Sequence, residues 1–260
     1  MERRKAEERD FHNRLRDPAL KEQERDHRSL TANKKYYSVA TTSAEQYADL
    51  LVTYGRGKQV LDYGCGDGEY SLLLARRGAQ IVGIDISDVS VRNCQARAEA
   101  EGLTDAAAFH VMDCEQLQFD DNSFDLVCES GVLHHLDLPR AMAEVARVMK
   151  PGGRMVCYEA LGHNLLFQAY RRLTPHLRTQ YETDHILKLR DLDTVRRFFD
   201  RVEVKFFHLL VLGAVPFRHT RFFPALSRML ARVDEFVLKV PGLRRQAWIV
   251  VLVLSNPRKP

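Results

Sequence analysis

The chain is poor in the features that mark several protein classes. It has 260 residues, one tryptophan, nine prolines and five cysteines. The cysteines (Cys65, Cys94, Cys114, Cys128 and Cys157) are odd in number and lack the short paired spacing of a metal knuckle. This excludes a disulfide scaffold and points to free thiols in a reducing compartment. No apolar run approaches the roughly 18–20 residues of a membrane span. The first ten residues are charged, which argues against a secretory leader and for a cytoplasmic protein. A formal charge of only +4 gives no general case for a nucleic-acid partner. There is no internal repeat and no low-complexity tract. A 45% hydrophobic and 28% charged content suits one globular domain with additions.

What is present is concentrated around residue 60. Val60-Leu61-Asp62 is a short apolar run ending in an acid, followed by Gly64, Gly66 and Gly68 at alternate positions. A second run, Gln80 to Ile84, ends in Asp85, 23 residues beyond Asp62. Strand, glycine turn, helix, strand and acid describe a nucleotide-type cofactor site at the carboxyl edge of a parallel sheet. Asp85 at the tip of the second strand, followed by Ile86, can accept both hydroxyls of a ribose. A dinucleotide fingerprint needs glycine at position 69, where this chain has Glu69. Asp67 and Glu69 also suit a pyrophosphate poorly, because the first turn of a helix attracts anions that these carboxylates would repel. A ligand carrying a sulfonium and an amino group fits better, with Asp62 holding the amino group directly or through water.

The periodicity predicts β1 over 59–62, a helix over 69–77, β2 over 80–85 and a helix capped by Ser87. β3 follows over 107–112, β4 over 124–129, a helix over 138–149 and β5 over 154–158. Ser43 with Gln46, or Thr42 with Glu45, reads as a capping box opening a helix that runs to about Tyr54. Residues 1–40 form a charge-dense arm with a weak stripe of Phe11, Leu15 and Leu20. A solvated helix is expected there, ahead of a nucleic-acid arm. Two later strands, 202–210 and 247–254, enclose an apolar, proline-cut insertion over 211–246 that predicts one or two amphipathic helices.

These segments resemble class I S-adenosylmethionine-dependent methyltransferases of the ubiquinone/menaquinone type. The glycine turn is similar to motif I, Asp120 to Val127 to the approach to β4, Leu133-His134-His135 to the loop after it, and Pro151-Gly152-Gly153 to the turn before β5. The resemblance covers residues 58–160. It implies a Rossmann-like α/β fold over 41–260, with a seven-stranded, mostly parallel sheet, an antiparallel edge strand and a helical insertion before the last strand. It implies S-adenosyl-L-methionine as cofactor, bound by Tyr37 as a lid, Asp62, Gly64, Cys65, Gly66, Asp85, Ile86, Asp113 under the adenine amino group, Cys114, Glu129 and Ser130. His134 or His135 is then a candidate base for an acceptor hydroxyl, with Glu159 a further candidate. The alternative gives one histidine a packing role beneath the cofactor. No metal is expected. The acceptor is expected to be small and lipophilic, quinone-like or a natural-product scaffold, with O-methylation favoured. The insertion is read as a lid over it, with membrane contact or a homodimer as rivals. A binding protein without methyl transfer is the reading from a different class.

Overall fold

The computed structural model describes residues 2–17, 34–174 and 179–259. Seven strands form one sheet in the order β3-β2-β1-β4-β5-β7-β6. They are β1 (Gln59–Tyr63), β2 (Gln80–Asp85), β3 (Ala107–Val111), β4 (Phe124–Ser130), β5 (Met149–Ala160), β6 (Phe199–Phe207) and β7 (Ile249–Pro257). β1 pairs in parallel with both β2 and β4, so the chain reverses direction of growth there and leaves a crevice at the carboxyl ends. The antiparallel strand is β7, which lies between β5 and the edge strand β6.

Helices cover both faces, which explains why the inner strands are apolar at nearly every position. Helix α1 is Arg3–Arg16, α2 is Lys34–Tyr37, α3 is Thr41–Gly55, α4 is Glu69–Ala75, α5 is Asp88–Ala100 and α6 is Leu138–Val148. One core cluster joins Tyr47 and Leu51 of α3 to Val60, Leu126 and Val156; the other joins Met142 and Val145 of α6 to Leu61, Val127 and Met155. The capping box is not formed. α3 begins at Thr41, and the Ser43 hydroxyl instead bonds Ala40 O at 3.0 Å, Tyr158 Oη at 3.0 Å and His208 Nε2 at 2.7 Å. A buried polar trio outcompeted the local cap. Ser87 does cap α5, accepting from Ser90 N at 3.0 Å.

After β5 come α7 (Leu165–Leu173), α8 (Gln180–His185) and α9 (Asp191–Phe198). Between β6 and β7 lie a 3-10 segment (Leu210–Phe217), α10 (Phe223–Val237) and α11 (Pro241–Arg244). Asp234 ties this insertion to the sheet edge. It is buried on α10 and accepts from the amides of Leu209, Leu210 and Val211 at 3.0, 2.7 and 3.1 Å. All five cysteines are buried and free. No described helix is long and apolar enough to cross a membrane.

Candidate active site

The chain leaves β1 through Gly64, Gly66 and Gly68, all at positive φ. At Gly64 the requirement is double, since φ is +75° and a Cβ would fall 2.5 Å from Val132 Cγ2. The turn thereby lies flat against the loop after β4. At the tip of β2, Asp85 is 6% exposed, and its two carboxylate oxygens accept from Gly66 N at 2.9 Å and Ser87 N at 2.8 Å. Each oxygen keeps a second acceptor position.

A cavity of about 80 Å³ lies at this edge, lined by Gly64, Asp85, Ile86, Asp113, Cys114, Ser130 and His135 among the residues expected from the sequence. The other expected residues stand behind it or away from it. Asp62 is buried beneath the turn and accepts from Ser71 Oγ at 2.5 Å. Burial pushes its carboxyl up to about 6, against the pull of the Ser71 bond. Cys65 uses its amide on Ile84 O at 2.8 Å, and its side chain is buried. Gly66 borders the turn, where a Cβ would lie 3.0 Å from Arg16 Nη2. Glu129 is fully buried and accepts from Val132 N at 3.1 Å. Burial first, then the charge of Glu159, push it well above the carboxylate range.

Tyr37 does not reach the cavity. Its ring lies 5.3 Å from that of Trp248 and it is 54% exposed. The cavity is closed instead by α1. Lys5 Nζ meets Asp113 Oδ2 at 2.6 Å, Arg4 Nη2 meets Glu115 Oε1 at 2.5 Å, and Asn13 Nδ2 meets Asp88 Oδ1 at 2.8 Å. Helix α1 of the charged arm is therefore docked, contrary to the expectation of a solvated helix. Of its expected stripe, Leu20 lies outside the described residues. Sequence reasoning missed Arg4, Lys5, Glu8, His12, Arg16 and Glu115, all of which line the cavity. The available signal was Glu8 and His12, four apart and so on one face of a helix.

The two histidines have separate fates. His134 Nδ1 meets Glu159 Oε2 at 2.8 Å, and Glu159, fully buried, also accepts from Leu133 N at 2.6 Å. Burial works against both charges, but the pairing outweighs it, raising His134 and lowering Glu159 from their usual values. This pair braces the loop after β4. His135 faces the cavity, with Nδ1 3.0 Å from Glu8 Oε2. Tyr181 of α8 donates to Leu136 O at 3.2 Å.

The profile of the family described as "Methyltransferase domain" matches residues 61–157. Over 101 residues the chain is 38% identical to the methyltransferase GfsG of Streptomyces halstedii, covering 38% of this chain and 36% of the relative. Over 129 residues it is 37% identical to the 27-O-demethylrifamycin SV methyltransferase of Amycolatopsis mediterranei, covering 49% and 46%. The chain thus spans less than half the length of these curated relatives. Its fold is similar to that of the [4+2]-cyclase SpnF, with a TM-score of 0.55, 23% identity, and coverage of 83% of this chain and 82% of the other. Residues 61–157, which carry the glycine turn after β1 and the acid at the tip of β2, thus match the methyltransferase-domain family.

Proposed function

We propose that the chain transfers the methyl group of S-adenosylmethionine to an oxygen of a small, lipophilic acceptor. The observation that carries this reading is the position of Asp85 in a cavity wall that it shares with Gly64, Asp113 and His135. Ribose hydroxyls bind at Asp85, and the adenine amino group at Asp113, in exchange for Lys5. Methyl transfer is an in-line displacement at a carbon already activated by the sulfonium, so the protein supplies proximity and orientation. The acceptor hydroxyl gives its proton to the Glu8–His135 pair in the cavity wall, since His134 is committed to Glu159.

A lipophilic acceptor is supported by a second cavity of about 400 Å³, lined by Tyr36, Leu166, Phe167, Tyr170, Leu212 and Val215 among others. Five residues of the insertion, Leu212, Gly213, Val215, Pro216 and Arg218, belong to this wall. The test is direct: the protein is incubated with S-adenosylmethionine and a panel of hydrophobic phenols, quinols and alcohols, with S-adenosylhomocysteine as readout. Turnover with an oxygen acceptor supports the reading. Thermal stabilisation by NAD and not by S-adenosylhomocysteine rejects it.

One observation favours a second reading, an enzyme docked on an anionic membrane. Phe222, Met229 and Phe236 are 63%, 55% and 67% exposed, and Arg221, Arg228 and Arg232 are exposed beside them. Apolar anchors among cations are what an interfacial helix needs. Co-sedimentation with phosphatidylglycerol vesicles, lost on Phe222→Ser with Phe236→Ser, supports it.

A further inference from the structure

Glu8, His12 and His135 meet at one corner of the cofactor cavity, and their ligand atoms lie within 4.8 Å of one another. Glu8 is 4% exposed. Its Oε1 accepts from Thr179 Oγ1 at 2.5 Å, which fixes the carboxylate and leaves Oε2 aimed at the histidines. Glu8 Oε2, His12 Nδ1 and His135 Nδ1 are all buried without a hydrogen bond. His135 Nδ1 and Glu8 Oε2 are only 3.0 Å apart, yet their approach lies off the N–H direction. A buried polar atom left in this state is destabilising and calls for a partner. Glu8 Oε2 faces His135 Nδ1 at 3.0 Å and His12 Nε2, not its orphaned Nδ1, at 3.7 Å, so three possible ligand atoms converge on one point.

We propose that Glu8, His12 and His135 form a binding site for a first-row divalent metal ion. Nitrogen and oxygen bonds to such ions are about 2.0–2.2 Å long, which puts neighbouring ligands of one ion about 3.0–3.5 Å apart. The pairs Glu8 with His135 and Glu8 with His12 stand at 3.0 and 3.7 Å, so little adjustment is needed. Two imidazoles and one carboxylate select zinc, manganese, iron or cobalt over magnesium and calcium, which prefer all-oxygen sets. The cations that share the cavity are engaged elsewhere, Arg4 on Glu115, Lys5 on Asp113 and Arg16 beside Asp85. A rival set of His134, His135 and Glu182 is also close. It is weaker, because the Glu182 carboxylate pairs with Arg171 at 3.2 Å. Three protein ligands leave open positions for an acceptor oxygen, whose hydroxyl the ion would acidify. That use rests on the methyl-transfer reading above, whereas the binding site itself does not.

The full-length protein is stripped with a chelator, and Zn²⁺, Mn²⁺ and Co²⁺ are titrated by calorimetry, with bound metal counted by mass spectrometry. The expected result is one ion per chain, ligand-field bands for Co²⁺ bound by mixed nitrogen and oxygen, and a loss of more than about 100-fold in affinity in both Glu8→Gln and His12→Ala. Glu182→Gln should bind as the parent does. Circular dichroism and S-adenosylhomocysteine affinity check that the variants fold. Absence of a bound ion in the parent protein, or unchanged binding in both cavity variants, overturns the site. So does loss only in Glu182→Gln. Metal bound without methyl transfer rejects only the catalytic reading, and methyl transfer by protein that binds no ion rejects only the site.

Discussion

Arg16 Nη1 stands 3.6 Å from Oδ2 of Asp85, so a guanidinium from the first helix covers the carboxylate at the tip of β2. A ribose hydroxyl has to displace it. The pair is partly exposed, so its strength is discounted for solvent screening. Arg16→Ala is expected to raise S-adenosylhomocysteine affinity about 3- to 10-fold in calorimetry. An affinity that falls would mean that the arginine helps hold the cofactor.

Asp85→Ala should act in the opposite direction. It removes one or two charge-assisted hydrogen bonds to the ribose, on the order of 2–3 kcal/mol, or about 30- to 150-fold in affinity. Because Asp85 also accepts from Gly66 N and Ser87 N, a lower melting temperature is expected as well. Unchanged S-adenosylhomocysteine binding would remove Asp85 from the site.

The glycines should separate by position. Gly64→Ala meets Val132 and carries the φ of +75°, so it should destabilise the fold by roughly 2–4 kcal/mol in urea titrations. Gly66→Val meets only the movable end of Arg16 but puts a β-branched side chain at a φ of +55°, so it should lower the melting temperature, and the folded protein should no longer bind S-adenosylhomocysteine. A folded Gly66→Val that keeps its affinity would reduce this glycine to a turn former.

His208 gives a pH signature. It is 2% exposed, and burial pushes it down to about 4. Between its ordinary value of about 6.5 and 4, the unfolded chain binds the proton and the folded chain does not. Its contribution to stability is whole above that window and is lost as pH falls through it, by about 2–3 kcal/mol between pH 7 and 4.5. The slope of unfolding free energy against pH should flatten in His208→Gln. Parallel slopes in the two proteins would show that other groups dominate.

The acceptor wall is testable against the exposed face. Leu212→Ala and Phe167→Ala should raise the acceptor KM by about 5- to 30-fold, the equivalent of 1–2 kcal/mol of lost apolar contact, with cofactor affinity unchanged. Phe222→Ala should leave that KM alone, since Phe222 is 63% exposed and lines no described cavity. The reverse pattern would move the acceptor to the face of α10.

That Gly64 and Asp85 would share one cavity wall was legible because the signals are local. Gly64 and Asp85 lie on a strand–turn–helix–strand unit whose spacing alone brings them together. Ser87, two residues from Asp85, announces the next helix by its own cap. The covering arm was not legible. Its apolar stripe is weak, and it is held by partners as remote as Asp113 for Lys5 and Glu115 for Arg4, pairings that no periodicity encodes. Tyr37 misled for a related reason: an aromatic next to a cofactor motif looks like a lid until Trp248, more than 200 residues later, is seen to engage it. Ser43 shows the same competition, a good cap by spacing claimed by Tyr158 and His208 from two distant strand ends.

The single tryptophan makes the molecule its own optical reporter. Trp248 is 3% exposed and stacks on Phe167, ring centroids 4.4 Å apart and planes 7° from parallel, while Phe167 forms part of the apolar cavity wall. An occupant that shifts Phe167 must alter the polarity and quenching around that one indole. Binding of an unlabelled acceptor can therefore be followed as a change in intrinsic emission, with no competing signal from a second tryptophan.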